Sequence, residues 1–283
     1  MGEIVVGVSV AERAGLLAVR WAAERASVRG SRLRLLHVVD EAIEASGDAD
    51  MLLAVLDAAR ESLAVAEDAA RAVDASLEIV SDLEQGAPIT QFERCSREAD
   101  LLVVASDSHG GKRPSRRGVH SLRIAAASHA PVAVVPDIDV SGRSGVAVGI
   151  DGSEVGARAL EFAADEASRR GCPLIAVHAW DLALMAGGEY GYGVSSFAMD
   201  DLTRAAHEVL VDALAPLDRS HPGLEIDRRV IAGDPVIALA EAAAEAELLV
   251  VGSHGRSALA RFLLGSVSHG VLARLEAPTV VVR

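Results

Sequence analysis

The stretch most suggestive of chemistry is VVGSHGRSALARFLLGSVS, residues 250–268, in which glycines and serines interrupt a strand-like and a helix-like segment. We expect Gly252, at the end of the strand, to admit close approach to the backbone, and Gly255 to turn the chain with a positive φ. Gly265 and Ser266 open a helix, whose free N–H groups form an anion site. The stretch therefore suits a phosphate. Spacing alone leaves a second interpretation open, in which Ser266 only caps the helix and the glycines only shape turns.

Two further side chains in this stretch suit a polyphosphate. Ser268 offers a second hydroxyl, and Arg256 offers a charge. The common phosphate-binding motifs are absent, because the chain has no G-x-x-x-x-G-K-[ST] segment and no G-x-G-x-x-G after the first strand of either half. Neither a P-loop nor a dinucleotide-binding Rossmann domain is therefore expected.

The composition and net charge of the chain limit the kinds of partner that it is expected to bind. The 283 residues carry 27 Lys and Arg against 41 Asp and Glu, a formal net charge of −14. Such a surface repels nucleic-acid phosphates and anionic lipids, so neither nucleic acid nor membrane is an expected partner. No apolar run approaches the length of about 20 residues that spans a bilayer, and the N-terminus lacks a signal-peptide pattern, so a cytoplasmic protein is expected. Cys95 and Cys172 match no metal-ligand or redox spacing and are interpreted as buried small side chains.

The second half of the chain repeats the first. ADLLVVAS in the first half matches AELLVVGS in the second, and HAPVAVV matches EAPTVVV. A repeat of this length is a whole domain rather than a solenoid unit. We therefore predict two domains, residues 1–140 and 141–283, joined by a short polar linker that contains glycines.

Strand and helix patterns alternate within each copy. In the second copy GVAVGID is a short apolar run of β-branched residues, as expected of a buried strand, and PLIAVHAW, LEIDRRVIAG, LLVVGS and PTVVVR are the other predicted strands. Among the helices, Asp234 and Pro235 begin one, Gly171 ends another, and a third is expected over residues 200–217. The alternation predicts an α/β fold: two repeated doubly wound domains, each a five-stranded parallel sheet with helices on both faces. Ligands bind at the carboxyl edge of such a sheet, where Asp151 and the glycine stretch fall.

The first copy keeps the fold pattern but loses most of the glycine pattern. At the positions of Gly252, Gly255, Ser266 and Asp151 it has, in that order, Ala105, Ser108, Val119 and Ser9, while Gly118 and Ser121 are kept. Val119 supplies no hydroxyl group, and the Cβ atom of Ala105 leaves a ligand less room to approach the backbone. The basic run at residues 110–118 is interpreted as a solvated loop, with attraction of an anion as the alternative. We therefore predict one working site, in the second copy.

Three segments of the second copy together resemble the universal stress protein family: GIDGS, VHAW and GSHGRSALARFLLGSVS. The last segment contains the family's pattern G-x2-G-x9-G-[ST], and the resemblance extends over both halves. It implies a Rossmann-like fold of the adenine-nucleotide alpha-hydrolase-like kind in a tandem member. It also implies ATP binding, with Mg²⁺ or Mn²⁺ held mostly by the phosphates and water.

The resemblance further implies roles for particular residues. Asp151 would approach the ribose or adenine, Gly149 and Ile150 would line the same edge, and Ala179 would contact adenine. The residues implied at the phosphates are Gly252, Gly255, Arg256, Gly265, Ser266, Val267 and Ser268. The last strands of the two copies are implied to pair as an intrachain domain pair, and a homodimer of chains is left open. The insertion at residues 182–199 is interpreted as a flap or contact surface, with a disordered loop as the alternative.

The residues do not form the pattern of a catalytic or metal site. The histidines near the two loops match no zinc spacing: His109, His120, His129, His254 and His269. Asp151 and His254 suggest water activation on a γ-phosphate, but no triad or arginine finger joins them. We therefore expect an ATP-binding, non-enzymatic regulatory module of the stress response, whose protein partners the residues do not name. Two alternatives stay open: a tandem scaffold that binds no nucleotide, and a slow ATPase.

Overall fold

The computed structural model describes residues 2–9, 13–45, 47–106, 116–180, 196–255 and 264–283. The chain separates into two units, Met1–Ile138 and Asp139–Arg283. Each unit has an α/β fold built on five parallel strands, as the sequence predicts. Arg256, most of the basic run and most of the 182–199 insertion lie outside the described residues.

The first unit contains, in chain order, β1 (Glu3–Gly7), α1 (Arg13–Arg29), β2 (Arg32–Val39), α2 (Glu41–Ala45), α3 (Ala49–Arg71), β3 (Ile79–Gln85), α4 (Pro88–Cys95), β4 (Leu101–Ser106), α5 (Arg116–Ala127) and β5 (Val132–Pro136). Its strand order is β3-β2-β1-β4-β5, and every neighbouring pair is parallel. Helix α1 packs against α3, whereas α4 packs against α5. The order reverses at β1, so successive right-handed crossovers place these two helix pairs on opposite faces of the sheet.

The second unit contains β6 (Val146–Gly149), α6 (Glu154–Arg170), β7 (Leu174–Trp180), α7 (Ser196–Leu214), α8 (Leu217–Ser220), β8 (Ile226–Ala232), α9 (Pro235–Glu245), β9 (Leu248–Gly252), α10 (Ser266–Arg274) and β10 (Thr279–Val282). Its strand order is β8-β7-β6-β9-β10, again parallel throughout. The switch in direction lies between β6 and β9. The carboxyl ends of these two strands therefore flank a crevice.

Capping residues set the helix ends of the second unit. Asp234 accepts a hydrogen bond from the Val236 N–H at 2.7 Å, and Pro235 is the first residue of α9, as predicted. Gly171 ends α6 in the left-handed conformation with φ of 63°, which also confirms the prediction. The helix predicted over residues 200–217 is wrong at both ends, because α7 begins at Ser196 and ends at Leu214. Pro216 disfavours helical geometry in the residue before it and so helps to stop α7 there.

The core of each sheet consists of short aliphatic side chains. Ile4, Val5 and Val6 of β1 are fully buried, and so are Val146 and Val148 of β6. Strands covered by helices on both faces bury every side chain, which is why their sequences are continuous apolar runs rather than alternating ones. This rigid sheet fixes the positions of the loops at its carboxyl edge.

Candidate functional site

A cavity of about 260 Å³, here the C-terminal cavity, lies at the carboxyl edge of the second sheet. Every predicted site residue that the structure describes lines it: Gly149, Ile150, Asp151, Ala179, Gly252, Gly255, Gly265, Ser266, Val267 and Ser268. These residues come from the ends of β6, β7 and β9 and from the first turn of α10. The structure thus brings together groups that are more than 100 positions apart in the chain. The part played by Arg256 stays a prediction.

The first turn of α10 points unpaired donors into this cavity. Gly265 is the N-cap residue, and its own N–H donates to the Ser253 carbonyl at 2.8 Å. The first bond within the helix runs from the His269 N–H to the Gly265 carbonyl at 2.9 Å. Within the described part of the chain, the N–H groups of residues 266–268 therefore have no acceptor. Such a helix end attracts an anion, because the free N–H groups and the helix dipole both favour negative charge.

The two serines of this turn differ in what they can offer. Ser266 is exposed, and no side-chain hydrogen bond caps the helix, so the interpretation of Ser266 as a cap is wrong. Ser268 is buried, and its hydroxyl donates to the Gly252 carbonyl at 2.5 Å. That bond joins α10 to the end of β9 and uses the only hydroxyl proton of Ser268. The predicted contact of Ser268 with an anion can therefore come from its N–H group but not from its hydroxyl.

The Asp151 carboxylate is held between its own loop and two glycines. Oδ1 accepts hydrogen bonds from the N–H of Ser153 at 3.0 Å and from its hydroxyl at 2.7 Å. A Cβ atom on Gly156 would overlap Oδ1, and one on Gly255 would lie 2.7 Å from Oδ2. Gly255 does not have the expected positive φ. A side chain at position 255 would instead have to displace the Asp151 carboxylate.

The C-terminal cavity is also lined by residues, most of them apolar, that sequence reasoning missed. They are Gly156, Val177, Pro235, Leu239, Val251 and His254. Leu239 lies one helical turn after Pro235, and a Cβ atom on Gly149 would be 3.2 Å from its Cδ1 atom. The start of α9 at Asp234 and Pro235 could have predicted Pro235 and Leu239, because it places the first turn of α9 at the same edge of the sheet. His254 has a buried Nε2 atom without a partner among the described residues.

The first unit retains a cavity at the equivalent place, which loss of the glycine pattern did not predict. This N-terminal cavity has a volume of about 440 Å³. Its lining residues are Gly7, Val8, Ser9, Ala14, Gly15, His37, Val38, Pro88, Phe92, Val104, Ala105, His120, Ser121 and Ile124. Several stand where the second unit has residues of the C-terminal cavity, for example Phe92 in place of Leu239 and Val38 in place of Ala179. The cavity is thus a property of the fold, whereas its lining is specific to each unit.

Equivalent histidines sit differently in the two units. In the second unit the Nδ1–H of His178 donates to the Ile150 carbonyl at 2.7 Å, which links the ends of β7 and β6. In the first unit the Nδ1 atom of His37 is buried and makes no hydrogen bond of ordinary geometry within the described residues. Burial lowers the pKa of His37, and the neighbouring Val8 carbonyl offsets part of that effect. His37 is therefore a neutral imidazole near neutral pH.

We expect His37 to lower the stability of the fold in mild acid. Its pKa in an unfolded chain is 6.5 and is lower in the fold, so the unfolded chain takes up the proton first. Stability is fully present above the unfolded value and is lost as the pH falls towards the folded pKa. His37→Asn removes this loss, and melting temperatures of both proteins between about pH 7.5 and about pH 5 will show it. Equal pH slopes for the two proteins would contradict the prediction.

One group of side chains away from both cavities has metal-ligand spacing within the described residues. It consists of Glu161, Asp165 and His221, whose potential ligand atoms lie within 4.8 Å of one another. Asp165 accepts a hydrogen bond from His221 at 3.0 Å and pairs with Arg169 at 3.0 Å. His221 also contacts the Ser220 hydroxyl at 2.9 Å. Asp165 and His221 thus have protein partners, and Glu161 is exposed, so the cluster is explained as a link between α6 and the segment after α8.

The cysteines are only partly as expected. Cys95 is buried, as predicted, but Cys172 is half-buried. Burial raises the pKa of both thiols above the ordinary range, so little thiolate forms near neutral pH. Neither cysteine therefore has the properties of a reactive site.

The fold and the C-terminal cavity define a tandem, doubly wound α/β protein with unpaired N–H groups at a helix end in its second unit. The sequence profile of the universal stress protein family matches residues 1–136 and again residues 144–283. The chain therefore belongs to the universal stress protein family and carries two copies of its domain. No helix in the described part of the chain is long and apolar enough to cross a membrane.

Similar proteins have the same tandem length. A universal stress protein of Mycobacterium tuberculosis is 34% identical over 215 residues, which cover 74% of this chain and 70% of the relative. One from Mycolicibacterium smegmatis is 31% identical over 290 residues, which cover 99% of this chain and 96% of the relative. The crystal structure of a universal stress protein from Archaeoglobus fulgidus covers 99% of this chain and 97% of its own, with a TM-score of 0.70 and 19% identity. That structure shows the shared fold.

Proposed function

We propose that the second unit binds ATP, together with Mg²⁺ or Mn²⁺, and that the protein is a nucleotide-dependent regulatory module of the stress response. The observation that carries this proposal is the convergence of three unpaired N–H groups of α10 with the Asp151 carboxylate on one cavity. Free N–H groups at a helix end suit phosphate oxygens, whereas a fixed carboxylate suits the hydroxyl groups of a ribose.

The C-terminal cavity has groups that suit each part of the nucleotide. Ile150, Ala179 and Leu239 supply apolar lining, which fits a flat base. Gly252, Gly265 and the first turn of α10, which carries the unpaired donors, line the same cavity and suit the phosphates. A divalent cation would bridge the phosphates there and complete its shell with water, as Mg²⁺ usually does.

We propose binding without rapid turnover. Hydrolysis of a γ-phosphate needs a positioned base and a cation that stabilises the transition state. Among the described residues that line the C-terminal cavity, Asp151 is the only carboxylate and is held by Ser153, His254 contacts the Ser253 hydroxyl rather than a carboxylate that would orient it as a base, and no Lys or Arg is present. Release of inorganic phosphate from ATP should therefore be slow, and fast multiple turnover would overturn this part of the proposal.

A melting experiment tests the proposed ATP site. ATP at 100 times its Kd should stabilise the wild-type protein by about 2.7 kcal/mol. Gly252→Ala combined with Ser266→Val installs the residues of the first unit and should remove this stabilisation, because a methyl group narrows the approach to β9 and the free hydroxyl is lost.

The reverse exchange is the matched control. Ala105→Gly combined with Val119→Ser should not create a second site, because α5 begins before Val119 and its turn is already helical there. Equilibrium dialysis should find one ATP per chain in the wild type and in this control. No stabilisation of the wild type by ATP would favour a scaffold that binds no nucleotide, and two ATP per chain would contradict the assignment to the second unit.

A further inference from the structure

The N-terminal cavity stays open although most of the glycine pattern is lost. Protein interiors are close-packed, so a site that had lost its ligand would be expected to fill with side chains. Its volume of about 440 Å³ instead exceeds the 260 Å³ of the C-terminal cavity. It also lies in the range of about 300–1,000 Å³ that small-molecule sites occupy. The cavity therefore has the size of a working site.

The features that suit phosphate in the second unit are missing from this cavity. Helix α5 begins at Arg116, three residues before Val119, the counterpart of Ser266. Only the first N–H groups of a helix are unpaired, so the N–H groups of His120 and Ser121 lie within the hydrogen-bonded part of α5. The interpretation of the whole basic run as a loop is accordingly wrong for residues 116–118, which are helical. The extra turn of α5 thus moves the unpaired N–H groups to residues 116–118, away from the counterparts of Ser266, Val267 and Ser268.

The described lining of the N-terminal cavity carries no Asp, Glu, Lys or Arg side chain. Ser9 replaces the carboxylate of Asp151, and Ala105 replaces Gly252. Most of the remaining surface is aliphatic. A buried ionic group of a ligand would find no charged partner among these residues, and such burial is costly. The lining therefore favours an uncharged occupant.

Phe92 and His37 give the wall its specific character. The Phe92 ring lies over the end of β1, where a Cβ atom on Gly7 would be 2.7 Å from its Cζ atom. Aromatic rings prefer stacked or edge-on contact with other rings. His37 faces the same cavity, is about nine-tenths buried, and has an Nδ1 atom without a regular hydrogen bond among the described residues. Because Nδ1 is buried beside the Val8 carbonyl, a hydrogen bond between a ligand and this ring would have to use its Nε2 atom.

We propose that the N-terminal cavity is a second, separate site, which binds an uncharged, planar aromatic small molecule against Phe92 with a hydrogen bond to His37. This site does not depend on ATP binding by the second unit. The two halves of the chain then have different ligands, one anionic and one uncharged. The duplicated chain then has two sites for different ligands instead of two copies of the same site.

The uncharged fluorophore 1-aminoanthracene tests this site, because its emission rises when it enters an apolar cavity. The wild type should bind about one equivalent in a fluorescence titration, and saturating ATP should not displace it. Val38→Trp places a large ring in the half-buried rim of the cavity and should raise the Kd of the probe at least tenfold. Ala105→Leu is a milder block at the same cavity and covers the case in which Val38→Trp does not fold.

Ala179→Trp is the matched control, since Ala179 is the counterpart of Val38 in the second unit. It should leave binding of the probe unchanged while it blocks the C-terminal cavity. Three results would overturn the proposal: no binding of the probe by the wild type, unchanged binding by folded Val38→Trp or Ala105→Leu, or competitive displacement of the probe by ATP. Failure of ATP to bind would leave this test intact, so the two proposals fail separately.

Discussion

Replacing Gly156 with alanine is expected to weaken ATP binding about tenfold or more, although Gly156 lies within α6 and alanine is the better helix former. The added methyl group would overlap Oδ1 of Asp151 and force the carboxylate away from the Ser153 N–H and hydroxyl groups. Asp151 would then no longer lie between Gly156 and Gly255. The loss should appear as a higher Kd in calorimetric titrations with ATP.

The first unit supplies the compensating pair for this experiment. Where the second unit has Asp151 and Gly156, the first has Ser9 and Ala14, so the smaller side chain accompanies the added methyl group. Asp151→Ser combined with Gly156→Ala should therefore recover the thermal stability that Gly156→Ala loses, but not the binding of ATP. Ala157→Gly, at an exposed position in the same turn, controls for a change in helix propensity. Wild-type affinity in Gly156→Ala would show that the Asp151 carboxylate is not used.

The sequence was sufficient for the elements that obey strong local rules. Capping by Asp234 and Pro235, the left-handed end at Gly171 and the continuous apolar strands all follow from short segments, and each is found in the structure. The alternation of strands and helices predicts parallel strands with right-handed crossovers, whose carboxyl ends share one edge of the sheet. These rules place the carboxyl ends of β6, β7 and β9 together before any side chain is considered.

The parts that sequence did not reveal depend on contacts between distant segments. Gly255 was expected to be a turn residue. In the structure, Asp151, about a hundred positions earlier in the chain, occupies the space that a side chain at position 255 would need. The hydroxyl of Ser268 was expected to face a ligand, but it is bonded to the carbonyl at the end of β9. A glycine or serine pattern can identify the residues of a site. The role of each residue depends on the distant segments that contact it in the fold.

The N-terminal cavity is the clearest case of this limit. Ala105 and Val119 show that two residues of the glycine pattern are replaced in the first unit, but they do not indicate whether the space beside them is filled. The space lies between the carboxyl ends of β1, β2 and β4, helix α4 and residues 120–124 of α5, and the glycine pattern does not encode how far apart these segments lie. Replacement of the residues that suit phosphate therefore does not imply that the cavity itself is lost.

Leu248→Ala is expected to destabilise the second unit by about 2–5 kcal/mol, because it removes a fully buried side chain and leaves a cavity in β9. ATP affinity should be nearly unchanged. Leu248 begins β9 and Gly252 ends it, which separates the two by about 13 Å at the usual rise of a strand. Saturating ATP should therefore restore about 2.7 kcal/mol at 100 times its Kd. A denaturant titration with and without ATP measures both effects.

Leu101→Ala is the matched change in the first unit, since Leu101 is the counterpart of Leu248 and is equally buried. The two tryptophans report on the units separately, because Trp21 lies on α1 and Trp180 ends β7. Trp21→Phe leaves fluorescence from the second unit only, and Trp180→Phe leaves fluorescence from the first. ATP should offset the loss from Leu248→Ala in the Trp180 signal but not the loss from Leu101→Ala in the Trp21 signal. Equal rescue of both would mean that the nucleotide stabilises both units, and the assignment of ATP to the C-terminal cavity alone would then be wrong.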